Sequence, residues 1–166
     1  MLHNADGAGG TSAIMRFDVE GGRAGEDFHV PSTLRQRERL PSANARRTWD
    51  LALGTAAWQI NGKGFDPNRM DARPRRGSTE IWTFVNHSNR VHPMHLHGFQ
   101  FRVLERSSAP VATADRLGWK DTVGVLPNET VSVLAWFAPY AGRYVFHCHA
   151  LEHADKAMML QMEVTP

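Results

Sequence analysis

From Thr48 to the C-terminus no helical period is sustained, and that constrains the fold more than any other feature of this sequence. Apolar and polar residues alternate instead in short runs: "TWDLAL", "WQIN", "EIWTFVN", "FQFRVLE", "ETVSVLAWF", "RYVFHC" and "LQMEVT". A period of two sends successive side chains to opposite faces of a strand, so each run can bury one face while the other meets solvent or a second layer. Between the runs stand residues that reverse a chain: Asn61-Gly62, Pro74, Gly77, Asn86, Pro127-Asn128, Pro139 and Gly142. The pattern predicts an all-β sandwich or barrel of antiparallel strands over residues 48–166. Only "HALEHADKAM" has room for a helical turn or two.

Upstream the texture differs. "AIMRFDVE" alternates as a stray strand with no neighbour nearby, and residues 21–47, rich in Gly, Pro, Arg and Ser, read as an interdomain linker. A chain of 166 residues holds one core and an appendage. With 19 basic against 17 acidic residues, the balance indicates neither nucleic acid nor a membrane surface as partner. No apolar run approaches the ~18 residues of a transmembrane helix. The first residues show neither the basic nor the apolar region of a secretory signal.

The histidines carry the chemistry. Of nine, three lie in "NRVHPMHLHGFQF" (His92, His95, His97) and three in "RYVFHCHALEHADKAMM" (His147, His149, His153), around the single cysteine, Cys148. On a strand, His147 and His149 share one face and Cys148 takes the other, so one strand would serve two sites. On the Cys148 side, a thiolate, imidazoles from His92 and His153 and the thioether of Met158 form the donor set that suits copper cycling between two oxidation states. On the other side, His95, His97, His147 and His149 offer imidazoles without sulfur, which suits a harder, dioxygen-binding copper centre. Pro93 is expected to interrupt the strand between His92 and His95 and so aim them at different sites. One lone cysteine forms no internal disulfide. Zinc has no use for the thioether. A cupin-type iron or manganese site needs a Glu four or five residues after its second His, where Glu105 and Glu152 do not fall.

"HPMHLH" and "HCHALEHADKAM" resemble the HxxHxH and HCHxxxHxxxxM motifs of the multicopper oxidases, the family of laccases, bilirubin oxidases and spore-coat oxidases. "WQINGKGFD" and "GWKDTVGVLPNETV" are similar to stretches of the final domain in the bacterial branch of that family. The resemblance implies a cupredoxin-like Greek-key fold for residues 48–166, with residues 1–20 as the last strand of a preceding cupredoxin domain. It implies copper as cofactor: His92, Cys148, His153 and Met158 at type 1 copper, His95 at type 2, and His97, His147 and His149 at the type 3 pair. In such oxidases a small reducing substrate, phenolic or similar, delivers single electrons to the type 1 site. They cross through Cys148 to His147 and His149, and O2 is reduced to water at the trinuclear cluster.

The family cluster also takes four imidazoles from two His-x-His pairs of an N-terminal domain. His3, His29 and His87 stand alone here, so the expectation is a C-terminal part whose missing histidines come from N-terminal cupredoxin domains or another chain, inactive alone. Ala154 follows His153 where this branch often has an acidic residue, with Glu152 or Asp155 as substitutes. The absence of a methionine-rich insert favours organic reductants. The alternative is a stand-alone blue-copper electron carrier or copper-binding cupredoxin, in which His95, His97, His147 and His149 would be idle. Asp121 reads equally as a residue orienting a ligand imidazole or as a turn former. Trp82, Trp119, Trp136 and Phe137 read as core, and Met159 and Met162 as packing rather than ligation.

Overall fold

The structure is a computed structural model and describes residues 2–3, 13–18, 29–32, 39–138 and 140–166. The chain divides into two units, Met1–Gln36 and Arg37–Pro166. In the first, β1 (Leu2–His3) pairs antiparallel with β2 (Ala13–Met15), so the strand in "AIMRFDVE" has a neighbour after all. The rest of residues 1–20, and much of the 21–47 linker, lie outside the described residues.

The second unit is a two-layer β-sandwich. Its strands are β3 (Ala45–Leu53), β4 (Trp58–Ile60), β5 (Thr79–Asn86), β6 (His92–Leu96), β7 (Gln100–Arg106), β8 (Thr122–Val125), β9 (Thr130–Trp136), β10 (Gly142–Cys148) and β11 (Met159–Val164). One sheet runs β4-β3-β5-β9-β7 and the other β11-β10-β6-β8. Two short helices, α1 (Thr113–Leu117) and α2 (Leu151–Ala154), sit in loops. β3 begins at Ala45, so the last residues of the expected linker are paired in a sheet.

β3 and β5 run parallel, an exception to the antiparallel pattern expected. Parallel neighbours need a crossover, which β4 and the loop 61–78 supply. That loop also covers the edge of β11, where Ala72 and Arg75 form parallel bridges to Met162 and Thr165 and so leave less edge open to another chain.

The two layers are joined by aromatic side chains. Trp49 of β3 and Trp82 of β5 meet Phe146 of β10 across the sandwich, with ring centroids 4.7 and 4.9 Å from that of Phe146 and 5.0 Å from each other. Each buried aromatic stabilises by ~1.5–3 kcal/mol and each tilted pair adds ~0.5–1.5 kcal/mol. Trp82 donates its indole N–H to Glu80, whose carboxylate is also bound by Arg47, whereas the indole N–H of Trp49 is buried without a partner among the described residues. With Phe146 facing the core, alternation along β10 turns Cys148 inward and His147 outward. On the adjacent β6, His92, Met94 and Leu96 are buried and Pro93 and His95 alternate with them. The register sets Cys148 opposite Met94 and His147 opposite His95.

A buried ion pair ties both sheets at one end. Glu129 accepts from Arg106 Nε at 2.9 Å and Nη2 at 2.8 Å, from the Leu126 N–H at 2.7 Å and from the Ser108 hydroxyl, while Arg106 also reaches the Gly124 carbonyl. Burial opposes its ionisation, but the hydrogen bonds from Arg106, Ser108 and Leu126 together with the guanidinium charge outweigh that and hold the carboxyl below its ordinary 4.5. A depressed carboxyl contributes stability above pH ~4.5, lost as the pH falls through the lower folded value. Glu129→Gln leaves the half-buried Arg106 without its counter-charge, holding only the Gly124 carbonyl, and is expected to cost roughly 1–3 kcal/mol at neutral pH. In urea unfolding the gap between variant and parent should narrow below pH ~4.5; a gap independent of pH would show that the pair does not act through its charge.

Candidate metal centre

Two donor sets lie on opposite faces of the β6–β10 pair. The inner set is His92 at the start of β6, Cys148 at the end of β10 and His153 on α2, with their donor atoms within 4.8 Å of one another. Cys148 Sγ lies 3.6 Å from His92 Nδ1 and 3.4 Å from His153 Nδ1. The loop closes on itself: the Met158 N–H donates to the His153 carbonyl at 3.0 Å, and the Cys148 N–H to the Met158 carbonyl at 3.1 Å. Ala157, at φ 67°, makes the left-handed turn that brings Met158 back, and Met158 is fully buried. A left-handed alanine costs about 1–2 kcal/mol, which the two main-chain bonds help offset.

A hydrogen-bond chain orients His92. Its Nε2 lies 3.0 Å from Ser88 Oγ, and that hydroxyl donates to Asn86 Oδ1 at 2.8 Å. Asn86 is itself fixed, since Nδ2 donates to the carbonyls of Arg90, Val125 and Leu126. With its own proton committed to Asn86, Ser88 Oγ accepts the Nε2 proton of His92 and leaves Nδ1 as a bare lone pair facing Cys148. Burial, and then the nearby His153, push the His92 pKa down to about 4. Burial also lowers His153, with Arg90 and Lys156 adding to the shift and Glu152 opposing it. Burial raises the Cys148 thiol, partly offset by the Ala150 N–H. At neutral pH the inner set therefore presents neutral imidazoles and a protonated thiol.

The outer set is His95, His97, His147 and His149. Ring centroids are 4.8 Å apart for His95–His97, 5.0 Å for His97–His147, 5.4 Å for His95–His149 and 5.5 Å for His147–His149. The Nε2 atoms of His97 and His147 approach to 2.9 Å, and donor atoms of His95, His97 and His147 lie within 4.8 Å of one another. His95 Nδ1 is 2.9 Å from both the Asp121 carbonyl and Thr122 Oγ1. Asp121 thus orients the imidazole through its main chain, with its carboxylate 3.8 Å away. His147 Nδ1 donates to the Cys148 carbonyl at 3.0 Å. Gly98, at φ 76°, turns the chain directly after His97, and a Cβ there would lie 2.7 Å from the Tyr144 ring. Burial is the first cause lowering the pKa of both His97 and His147; neighbouring imidazoles add to it, and the Cys148 carbonyl opposes it at His147.

Pro93 does not break the strand. β6 runs through it, paired to Gly124 of β8, and the His149 N–H donates to the Pro93 carbonyl just past the end of β10. A proline near a strand end removes no mid-ladder donor, so His92 and His95 diverge by simple alternation. Trp82 and Phe137 are core, whereas Trp119 and Trp136 are half-buried and stack on each other at 6.1 Å. Trp58 escaped the sequence reading, as did the supports Ser88, Asn86 and Thr122; the Trp58 ring lies 4.8 Å from both His92 and His153. "WQIN" signals a strand, and nothing local marks its tryptophan as a neighbour of residues far along the chain. The thiol and two imidazoles of the inner set, on a loop that brings Met158 back beside Cys148 through its main chain, fit copper by softness, and the all-imidazole outer set fits copper as well.

A multicopper oxidase family profile matches residues 29–166. The laccase of Bacillus subtilis strain 168 is 35% identical over 200 residues, covering 99% of this chain and 38% of the laccase. The bilirubin oxidase of Albifimbria verrucaria is 36% identical over 163 residues, covering 93% of this chain and 28% of that enzyme. The crystal structure of McoA multicopper oxidase from Aquifex aeolicus superposes with a TM-score of 0.77 at 35% identity, over 84% of this chain and 34% of that one. The chain thus spans 28% to 38% of the length of these relatives.

A metal ion held at Cys148 would displace the thiol proton. Anaerobic uptake of cuprous ion is expected to release about one proton per inner site and to tighten about tenfold per pH unit up to the raised thiol pKa. Calorimetry in buffers of different ionisation heat measures both. Cys148→Ala should abolish the proton release; its persistence in that variant would place the binding elsewhere.

Proposed function

This chain belongs to the multicopper oxidase family, and from that premise we propose that it is the part of a laccase-like oxidase that takes up single electrons and bears half of the oxygen-reducing site. His92, Cys148, His153 and Met158 would hold type 1 copper, His95 type 2, and His97, His147 and His149 the type 3 pair. Bound copper would supply the one-electron couple and the oxygen chemistry that side chains lack. Ser88 and Asn86 hold the His92 ring in the tautomer that offers Nδ1, and Trp58 packs against the rings of both His92 and His153. Asp121 and Thr122 do for His95 what Ser88 does for His92.

The observation that carries this reading is the place of Cys148. Its side chain is fully buried in the inner set, its carbonyl accepts from His147, and its chain neighbours are both members of the outer set. The inner set is closed by residues of this chain. The outer set is not, for His97 and His149 are exposed, and imidazoles from another cupredoxin domain or chain would complete it. Residues 1–20 and 21–47 then serve as the last strand of a preceding domain and the link to residues 48–166. The closed inner set also supports a second reading, a stand-alone blue-copper carrier.

Copper content and oxygen uptake separate the two readings. The chain alone is expected to hold about one tightly bound copper and to consume no O2 with a phenolic reductant. Mixed with a polypeptide bearing two His-x-His pairs from a matching N-terminal domain, it should rise to about four coppers and consume O2. A blue chain unchanged by any such partner would favour the carrier.

A further inference from the structure

Beside the inner set lies a pocket of about 440 Å³ lined by Trp58, Arg90, Glu152, His153 and Lys156. A single substituted aromatic ring fits such a volume. His153 reaches this pocket whereas His92 is fully buried, so His153 is the inner imidazole a small molecule can touch. Trp58, packed against both histidines and only half-buried, offers a ring against which an aromatic molecule can stack. The charges are unequal, with two cations against one carboxylate. Among the described residues no ion pair engages Arg90 or Lys156, and both are exposed.

Arg90 is also held in place. Its N–H donates to Ser88 Oγ at 3.2 Å and its carbonyl accepts from Asn86 Nδ2 at 2.7 Å, the same two residues that orient His92. A guanidinium rising from a fixed turn loses less freedom on binding than one on a loose loop.

We propose that this pocket selects anionic aromatic reductants, phenols bearing a carboxylate or sulfonate, with Arg90 and Lys156 attracting the anion and Trp58 stacking on the ring. The proposal rests on the reading of the Cys148 set as the site that takes up electrons, and it names the substrate class of that site. Glu152 tempers the selection and sets a limit on how much negative charge is favoured. An aromatic amine carrying a positive charge is disfavoured for the same reason.

The test uses the copper-free full chain, so that it does not depend on catalysis. Three probes share one ring and differ in charge: 4-hydroxybenzoate, its neutral methyl ester and the cationic 4-hydroxybenzylamine. Each is titrated while the Trp58 indole N–H is followed by NMR. The carboxylate is expected to bind about five-fold more tightly than the ester and the amine more weakly than either, as two partly screened cations against one carboxylate give. Raising the salt to ~1 M, where the Debye length falls to ~3 Å, should erase the difference. The double variant Arg90→Gln/Lys156→Gln should bring the carboxylate to the affinity of the ester, and Glu152→Gln should tighten it about two- to three-fold. Equal affinities in the parent chain, an anion preference that survives the double variant, weaker carboxylate binding in Glu152→Gln, or a Trp58 signal unmoved by any probe would each overturn the proposal. Failure of the underlying reading looks different. The pocket would bind the carboxylate as expected, yet the copper-loaded chain would not be bleached by it anaerobically.

Discussion

The contact on which the rest depends is that of Phe146 with Trp49 and Trp82. It joins the two sheets, and because it fixes which face of β10 is inside, it also fixes the split between Cys148 and its flanking histidines. A slip of one residue would exchange the faces, putting the thiol in the outer cluster and two imidazoles into an apolar core. Burial of large aromatics on one register and not the other makes that alternative costly by many kcal/mol. The placing of Cys148 on one face and His147 on the other is thus set by a hydrophobic residue that belongs to neither donor set.

How much of this was legible in the sequence follows from which signals are local. Alternation marked seven of the nine strands of the larger unit, because each carries a run of apolar residues at period two. The two that escaped, β6 and β8, are masked for physical reasons. In β6 one histidine, His92, faces inward and another, His95, faces outward beside Pro93, so polarity does not follow the alternation that burial does. In β8 four residues with a glycine are too few to show a period. The histidines and Cys148 stood out in the sequence, since His-Cys-His on a strand has few structural uses, and the structure brings His92, Cys148 and His153 together on one side and His95, His97 and His147 on the other. The supports were not: Asn86, Ser88, Thr122 and Trp58 act across turns and between strands, and their residue types are common in such places for unrelated reasons.

The two sets differ in what the protein does to them. The inner one is deep, so burial, with the nearby His153 adding to it at His92, drives that imidazole toward the neutral form, and burial drives the Cys148 thiol away from the thiolate. The imidazoles are thereby ready as donors, while the thiol is withheld until a cation makes its ionisation favourable. A free thiolate in that position would be uncompensated charge in an apolar site, so a protonated thiol is the state the metal-free fold can tolerate. The outer set lies at a surface, and its imidazoles crowd one another at distances where a second proton among them is opposed by the first. At His92 in the inner set, and at His97 and His147 in the outer one, burial comes first and repulsion from neighbouring imidazoles adds to it.

This difference bears on how the parts of such an oxidase come together. A set enclosed by its own chain can take its metal as soon as that chain folds, and metal bound there adds directly to the stability of the fold. A set with half its ligands elsewhere is specified only when two surfaces meet, so the metals it binds stabilise an interface rather than a domain. Cys148 belongs to the first by its side chain and touches the second by its carbonyl. The position of its Sγ is held by the His153–Met158 loop, and that of its carbonyl by the ladder to β6 and the His147 ring. Ordering the inner loop therefore also orders the strand end from which His147 and His149 project, and the inner site would prepare the outer one before any partner surface arrives.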